Sequence, residues 1–116
     1  MQVEITITQD YVQYNVSGKL DSISAPEFEE NVISRMEEHS ADTIFHLEGL
    51  NYISSSGLRI FLQAAKIARM NSTRVILSAV QPQVREIFDL AGFTQFFTFA
   101  DDLDTAISIL KGNTEQ

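Results

Sequence analysis

The hydrophobic residues of this chain keep changing their spacing, and that switching restricts what it can fold into more than any other feature. Val3, Ile5 and Ile7 alternate with polar residues, as do Val12, Tyr14 and Val16, with Gln9 and Asp10 between the two runs. Such alternation marks two half-buried strands, and the short polar break between them marks a tight turn. Gly18 ends the second strand. Phe28, Val32 and Met36 then recur every four residues, which is the spacing of a helix face running to about His39. In the preceding SAPE (24–27), Ser24 is placed as N-cap and Glu27 would close a capping box. Pro26 falls in the first turn, where no N–H is needed.

The switching continues to the end of the chain. Thr43–Leu47 (TIFHL) is a β-rich run read as an interior strand, and a loop leads from it to three consecutive serines. Leu58, Phe61, Leu62, Ala65 and Ala68 then share one helical face. Ile60, Ala64 and Ile67 widen it until only Arg59, Gln63 and Lys66 remain polar, so this helix is packed on most sides. RVILS (74–78) is the next strand, and Pro82 opens a helix carrying Val84, Ile87, Phe88 and Ala91, with Gly92 placed to end it. FFTF (96–99) reads as a short edge strand. Asp101 or Asp102 caps a last helix with Leu103, Ala106, Ile107 and Leu110 on one face.

Strands that alternate with helices need crossover connections, and crossovers make a largely parallel sheet. The expected fold class is therefore α/β, in the order ββαβαβαβα. A mixed sheet, mostly parallel after an N-terminal hairpin, would carry about four helices packed on it. Residues 1–111 are expected to form a single domain and the tail GNTEQ (112–116) to be disordered.

Composition removes several function classes. The chain has no cysteine, which excludes disulfide scaffolds, zinc-thiolate sites and thiol nucleophiles. A formal net charge of −8 argues against binding nucleic acid, which needs clustered Lys and Arg. MQVEITIT (1–8) lacks the layout of a signal peptide, and no apolar run approaches a membrane span. A soluble, cytoplasmic protein is expected, without membrane association. The charge is uneven, because no Asp or Glu occurs from Gly49 to Arg85, where Arg59, Lys66, Arg69, Arg74 and Arg85 all fall. Either these cations form a solvated helix face, or the segment ISSSGLR (53–59) sits in a less negative field than the protein average.

Catalytic patterns are poor. The serines lack a G-x-S-x-G elbow, and only His39 and His46 could act as a base. His39 lies near a helix C-terminus, and His46 within a strand reads as a satisfied structural histidine. Gly18-Lys19 lacks the upstream glycine of a phosphate-binding loop, no GxGxxG occurs, and two isolated histidines make no metal site. The serine run itself remains. One serine suffices to cap the helix, worth about 1 kcal/mol. Three serines before Gly57 leave at least one hydroxyl without that duty. A serine in the first turn also suits a phosphoryl group, because the free amides and the helix dipole favour added negative charge.

Together, GKLD (18–21) after the second strand, TIFHLEGLNYISSSGL (43–58) entering the buried helix, and the C-terminal helices resemble the STAS domain. Within that family they are most similar to the stand-alone anti-sigma factor antagonists of bacteria. The resemblance covers about Val3 to Leu110 and implies a switch protein that is not an enzyme and needs no cofactor or metal. In such proteins an anti-sigma factor, itself an ATP-using serine kinase, phosphorylates the serine just before the glycine, here Ser56 before Gly57. The unphosphorylated form binds the anti-sigma factor and frees sigma, the phosphorylated form does not bind, and a PP2C-type phosphatase resets the switch. The aspartate of the GxLD motif corresponds to Asp21. With Ser54, Ser55, Ser56, Gly57, Leu58 and Arg59 it makes up the implied partner-binding surface. The chain departs from the family at Ser54, where an aspartate is usual, and at Asn51 and His46, where an acidic residue is common. STAS domains also serve as constitutive interaction subunits of lipid-transport ABC complexes or stressosome-like assemblies, the alternative this resemblance leaves open.

Overall fold

Strand β1 (Gln2–Ile7) and strand β2 (Tyr11–Leu20) form the expected antiparallel hairpin, with Ile5 opposite Tyr14 and Val3 opposite Val16, in a computed structural model that describes residues 1–112. Helix α1 (Ala25–Glu38) leads to β3 (Asp42–Ile53), α2 (Ser55–Met70) to β4 (Val75–Ser78), and α3 (Pro82–Leu90) to β5 (Thr98–Ala100). Helix α4 (Leu103–Lys111) closes the described chain. The strands lie in the sheet in chain order, β1-β2-β3-β4-β5, and every pair after the hairpin is parallel.

Chain-order strands decide where the helices go. Each crossover steps one place in the same direction, and crossovers are right-handed, so α1, α2 and α3 must all fall on one face. The larger core lies there. Phe61 of α2 packs at ring-centroid distances of 5.6 Å from Phe28, 5.0 Å from Phe45 and 5.8 Å from Phe88, linking all three helices to the central strand. Helix α4 follows the last strand and covers the other face, over Ile44, Ile76 and Ala100.

Several expectations change. Strand β3 runs to Ile53, well past Leu47, so it delivers the chain to the serines with no loop between. Glu48, Gly49 and Asn51 break the alternation in sequence, yet Leu50 and Ile53 still reach the core because the pairing with β2 shifts there. Gly18 does not end β2. It sits inside the strand at φ +94°, beside one of those register shifts, where a side chain would be strained. Ile5 and Ile7 are exposed, not half-buried, on the edge strand, whereas Val3 of the same strand packs against the core as expected. FFTF is not one strand: Phe96 ends a single 3₁₀ turn (Thr94–Phe96), and the edge strand starts at Thr98. Gly92 (φ +76°) follows the α3 cap as expected, its amide bonding to the Asp89 carbonyl and that of Phe93 to Phe88. Asp102 is the cap of α4, accepting from the Thr105 amide at 2.8 Å. Gly112 ends α4 in the left-handed conformation, and the expected tail beyond it lies outside the described residues.

Candidate partner-binding site at the start of the buried helix

Two parallel strand ends set up the site. Leu20 closes β2 beside Ile53 of β3, and the Ser54 amide donates to the Leu20 carbonyl at 2.8 Å. Asp21 and the serine run therefore leave the sheet side by side, at the carboxyl ends of strands where open α/β sheets place binding sites.

Ser54 is the N-cap of α2. Its Oγ accepts from the Gly57 amide at 3.3 Å, and its carbonyl accepts from the Leu58 amide at 2.9 Å. Ser55 and Ser56 thus fall in the first turn without a capping duty, Ser55 exposed and Ser56 half-buried. Gly57 and Leu58 are buried and turned inward, so neither presents a side chain to a partner. Arg59, one turn beyond Ser56, is exposed. Ser54→Ala should cost about 1 kcal/mol in urea denaturation, whereas Ser54→Asp should be near neutral because both side chains cap well. Equal losses in the two variants would refute the capping role.

Asp21 has a structural duty that sequence alone did not reveal. Its Oδ1 accepts from the amides of Ile23 and Ser24, each at 3.0 Å, and from the Ser24 hydroxyl at 3.2 Å. That one hydroxyl proton is shared with the Lys19 carbonyl at 3.0 Å, and the Asp21 amide donates to the same Ser24 oxygen at 3.0 Å. Ser24 is therefore occupied by this turn and makes no side-chain cap, so the expected capping box with Glu27 does not form. The turn holds Asp21 in one orientation, and all three bonds go to Oδ1, which leaves Oδ2 for an outside donor.

These bonds, the Ser24 amide foremost, hold the Asp21 carboxyl below its ordinary value. A lowered folded pKa means that the unfolded chain binds more protons as the pH falls. The stabilisation is complete above the ordinary carboxylate value of about 4 and is lost as pH drops through the lower folded value. Asp21→Asn should therefore be less stable than the parent at neutral pH, with the gap narrowing in acid. A gap that stays constant in melts taken from neutral pH to below pH 3 or so would show the turn does not depend on the charge.

A groove of about 330 Å³ runs between the N-terminal halves of α1 and α2, lined by Ser22, Pro26 and Glu29 on one side and Ser56, Arg59 and Gln63 on the other. The field in it is balanced rather than positive, because Glu29 faces the same space as Arg59. Of the remaining cations, Lys66, Arg69 and Arg74 line a separate groove of about 650 Å³ with Phe93 and Phe96, away from the serines. Arg74 bonds Asp42 and the α4 carbonyls of Ile109 and Leu110, while the Arg85 guanidinium lies 3.8 Å from the centre of the Phe99 ring. Lys66 and Arg69 stay on the solvated face of α2. His46 is satisfied, as expected, by Ser78 at 2.9 Å and Glu48 at 3.3 Å.

Sequence reasoning missed Ser22, Glu29 and Ile23. Ile23 is 88% exposed, the highest value among the large hydrophobics of the described residues, on the turn that Asp21 braces. An isoleucine between two serines in a polar turn serves no core, and that was the available signal. Among the described residues no helix is long and apolar enough to cross a membrane.

The STAS domain family model matches residues 2–106. A Bordetella bronchiseptica protein described as a candidate anti-sigma factor antagonist, BtrV, is 30% identical over 96 residues, covering 83% of each chain. An anti-sigma-B factor antagonist of Staphylococcus epidermidis is 26% identical over 92 residues, 79% of this chain and 85% of that one. Among solved structures, the anti-sigma factor antagonist SpoIIAA in its unphosphorylated form superposes with a TM-score of 0.82 at 21% identity, covering 96% of this chain and 97% of that one. The phosphorylated form of Bacillus SpoIIAA gives 0.74 at 20% identity, covering 94% and 99%.

Proposed function

The chain belongs to the STAS domain family, and from that membership we propose that it is an anti-sigma factor antagonist controlled by phosphorylation of Ser56. It acts by binding and not by catalysis. Unphosphorylated, it engages an anti-sigma factor that is also a serine kinase and thereby releases a sigma factor. A PP2C-type phosphatase returns the phosphorylated form to the binding state. The observation that carries this reading is the division of labour among the serines: Ser54 alone caps α2, and the Ser56 hydroxyl stands half-exposed in the groove beside Arg59.

The surface consists of Ser55, Ser56 and Arg59 on α2 with Asp21 and Ile23 on the neighbouring turn. Asp21 Oδ2 pairs with a basic group of the partner. Ile23 supplies an apolar anchor of the kind that dominates binding energy when buried at the centre of an interface. Ser54, Gly57 and Leu58 contribute by holding α2 in place. SpoIIAA, solved in both unphosphorylated and phosphorylated forms, is a precedent for such modification on this fold.

The test is to incubate the protein with its cognate anti-sigma factor and ATP and map any phosphoryl group by mass spectrometry. The expected result is one group on Ser56, absent from Ser56→Ala. Stable binding with no phosphoryl transfer would replace the switch with a constitutive interaction subunit.

A further inference from the structure

Strand β1 leaves one edge of the sheet open, and the direction of its backbone groups follows from the hairpin. The Thr8 amide donates to the Tyr11 carbonyl at 2.9 Å, so Thr8 and Tyr11 form a hydrogen-bonded pair. Such pairs alternate along an antiparallel ladder. In the register Thr6 opposite Gln13 and Glu4 opposite Asn15, Thr6 and Glu4 bond to β2. Val3, Ile5 and Ile7 then turn their N–H and C=O groups outward. The same residues carry the strand's apolar side chains, on the face that α1, α2 and α3 cover elsewhere, opposite Val16, Tyr14 and Val12. Ile5 is 37% and Ile7 62% exposed. Glu4 is the only charge in β1, which contains neither proline nor lysine, the residues that commonly guard a free edge.

We propose that β1 pairs antiparallel with β1 of a second copy of this chain, about a two-fold axis at Ile5, joining the two sheets into one. The axis lies along the sheet normal, so each face stays on its own side and residues meet others of the same parity. Centred on Ile5, the register sets Ile5 against the partner's Ile5, Val3 against the partner's Ile7 and Glu4 against the partner's Thr6. Every outward-facing backbone group is then used, and the apolar row runs unbroken across both copies. Centring on Glu4 would oppose two carboxylates and set Ile7 against the partner's Met1, outside the strand, and centring on Thr6 would set Val3 against the partner's Gln9 in the turn. The strand is therefore complementary to itself in one register, which favours a second copy over a foreign strand as the occupant. The contact is small, so the dimer is weak and concentration-dependent. It shares no residue with the groove at Ser56.

Sedimentation of the full chain from micromolar to millimolar concentration should follow a reversible monomer–dimer equilibrium. Ile5→Lys, with its fold checked by thermal unfolding, should remain monomeric. Because the protein contains no cysteine, single thiols report the register. Residues in a hydrogen-bonded antiparallel pair have Cα atoms about 5.5 Å apart, within disulfide reach. Under a mild oxidant Ile5→Cys should form a covalent dimer about tenfold or more faster than Ile7→Cys, whose neighbour would be the partner's Val3. A parent protein that stays monomeric at millimolar concentration, an Ile5→Lys variant that still dimerises, or equal cross-linking by the two thiols would each overturn the proposal.

Discussion

Gly57→Ala is expected to destabilise the protein by about 1–3 kcal/mol, the usual range for overpacking a closed core. The direction is the reverse of the ordinary one, since alanine in a helix interior is favoured over glycine by about 1 kcal/mol. An added Cβ would lie 2.7 Å from Cγ and 2.8 Å from Cδ2 of Leu20, and 2.9 Å from Cγ1 of Ile53. Neither residue can swing aside, because Leu20 is fully buried and Ile53 only 3% exposed. The start of α2 would have to lift from the ends of β2 and β3, the place where Asp21 and Ser56 are brought together. Urea denaturation would measure the loss. The effect should be smaller when Leu20→Ala is already present, since the two closest contacts are then gone and only that with Ile53 remains. A Gly57→Ala variant as stable as its parent would mean that the close approach does not constrain the helix.

Ser56→Glu is expected to weaken binding to the cognate anti-sigma factor by about 2–5 kcal/mol, a loss of roughly thirty- to several-thousand-fold. Ser56→Ala should bind like the parent and resist phosphorylation. In the free protein the new carboxylate lies in the first turn of α2, where the dipole favours it, and one turn from Arg59. Its fold should therefore be intact, and thermal unfolding would establish that separately. In a complex the same charge must be desolvated against a surface that met a hydroxyl, with Glu29 across the groove adding repulsion. Calorimetry with the cognate partner is the decisive measurement. Equal affinities for the alanine and glutamate variants would remove the phosphoryl switch from Ser56.

Much of the fold was legible from local pattern. Phe28, Val32 and Met36 each sit in the core on the expected helix face, and Pro82 and Gly92 bracket α3 as their backbone preferences require. The misreadings share one cause. Glu48 and Asn51 looked like a loop because alternation fails there, but parallel pairing to β2 with shifted register keeps the segment in the sheet. Ser24 looked like a capping serine, but Asp21 and Lys19 reach its hydroxyl first. In both places a neighbour settled in three dimensions outweighed a local preference.

The same division applies to the site. The run of serines before a glycine, on its own, marked a helix start with a hydroxyl to spare, because capping needs only one and the preference is local. The element order likewise required crossovers and a mostly parallel sheet. Which serine caps was decided only by the bond from the Ser54 amide to the Leu20 carbonyl, which sets where β3 ends and α2 begins. That Ser56 shares a groove with Glu29, that Asp21 is braced by its own turn, and that Ile5 and Ile7 lie uncovered all depend on strand order and helix placement. Those are long-range choices, made by packing between segments far apart in the chain, and no window of sequence contains both partners.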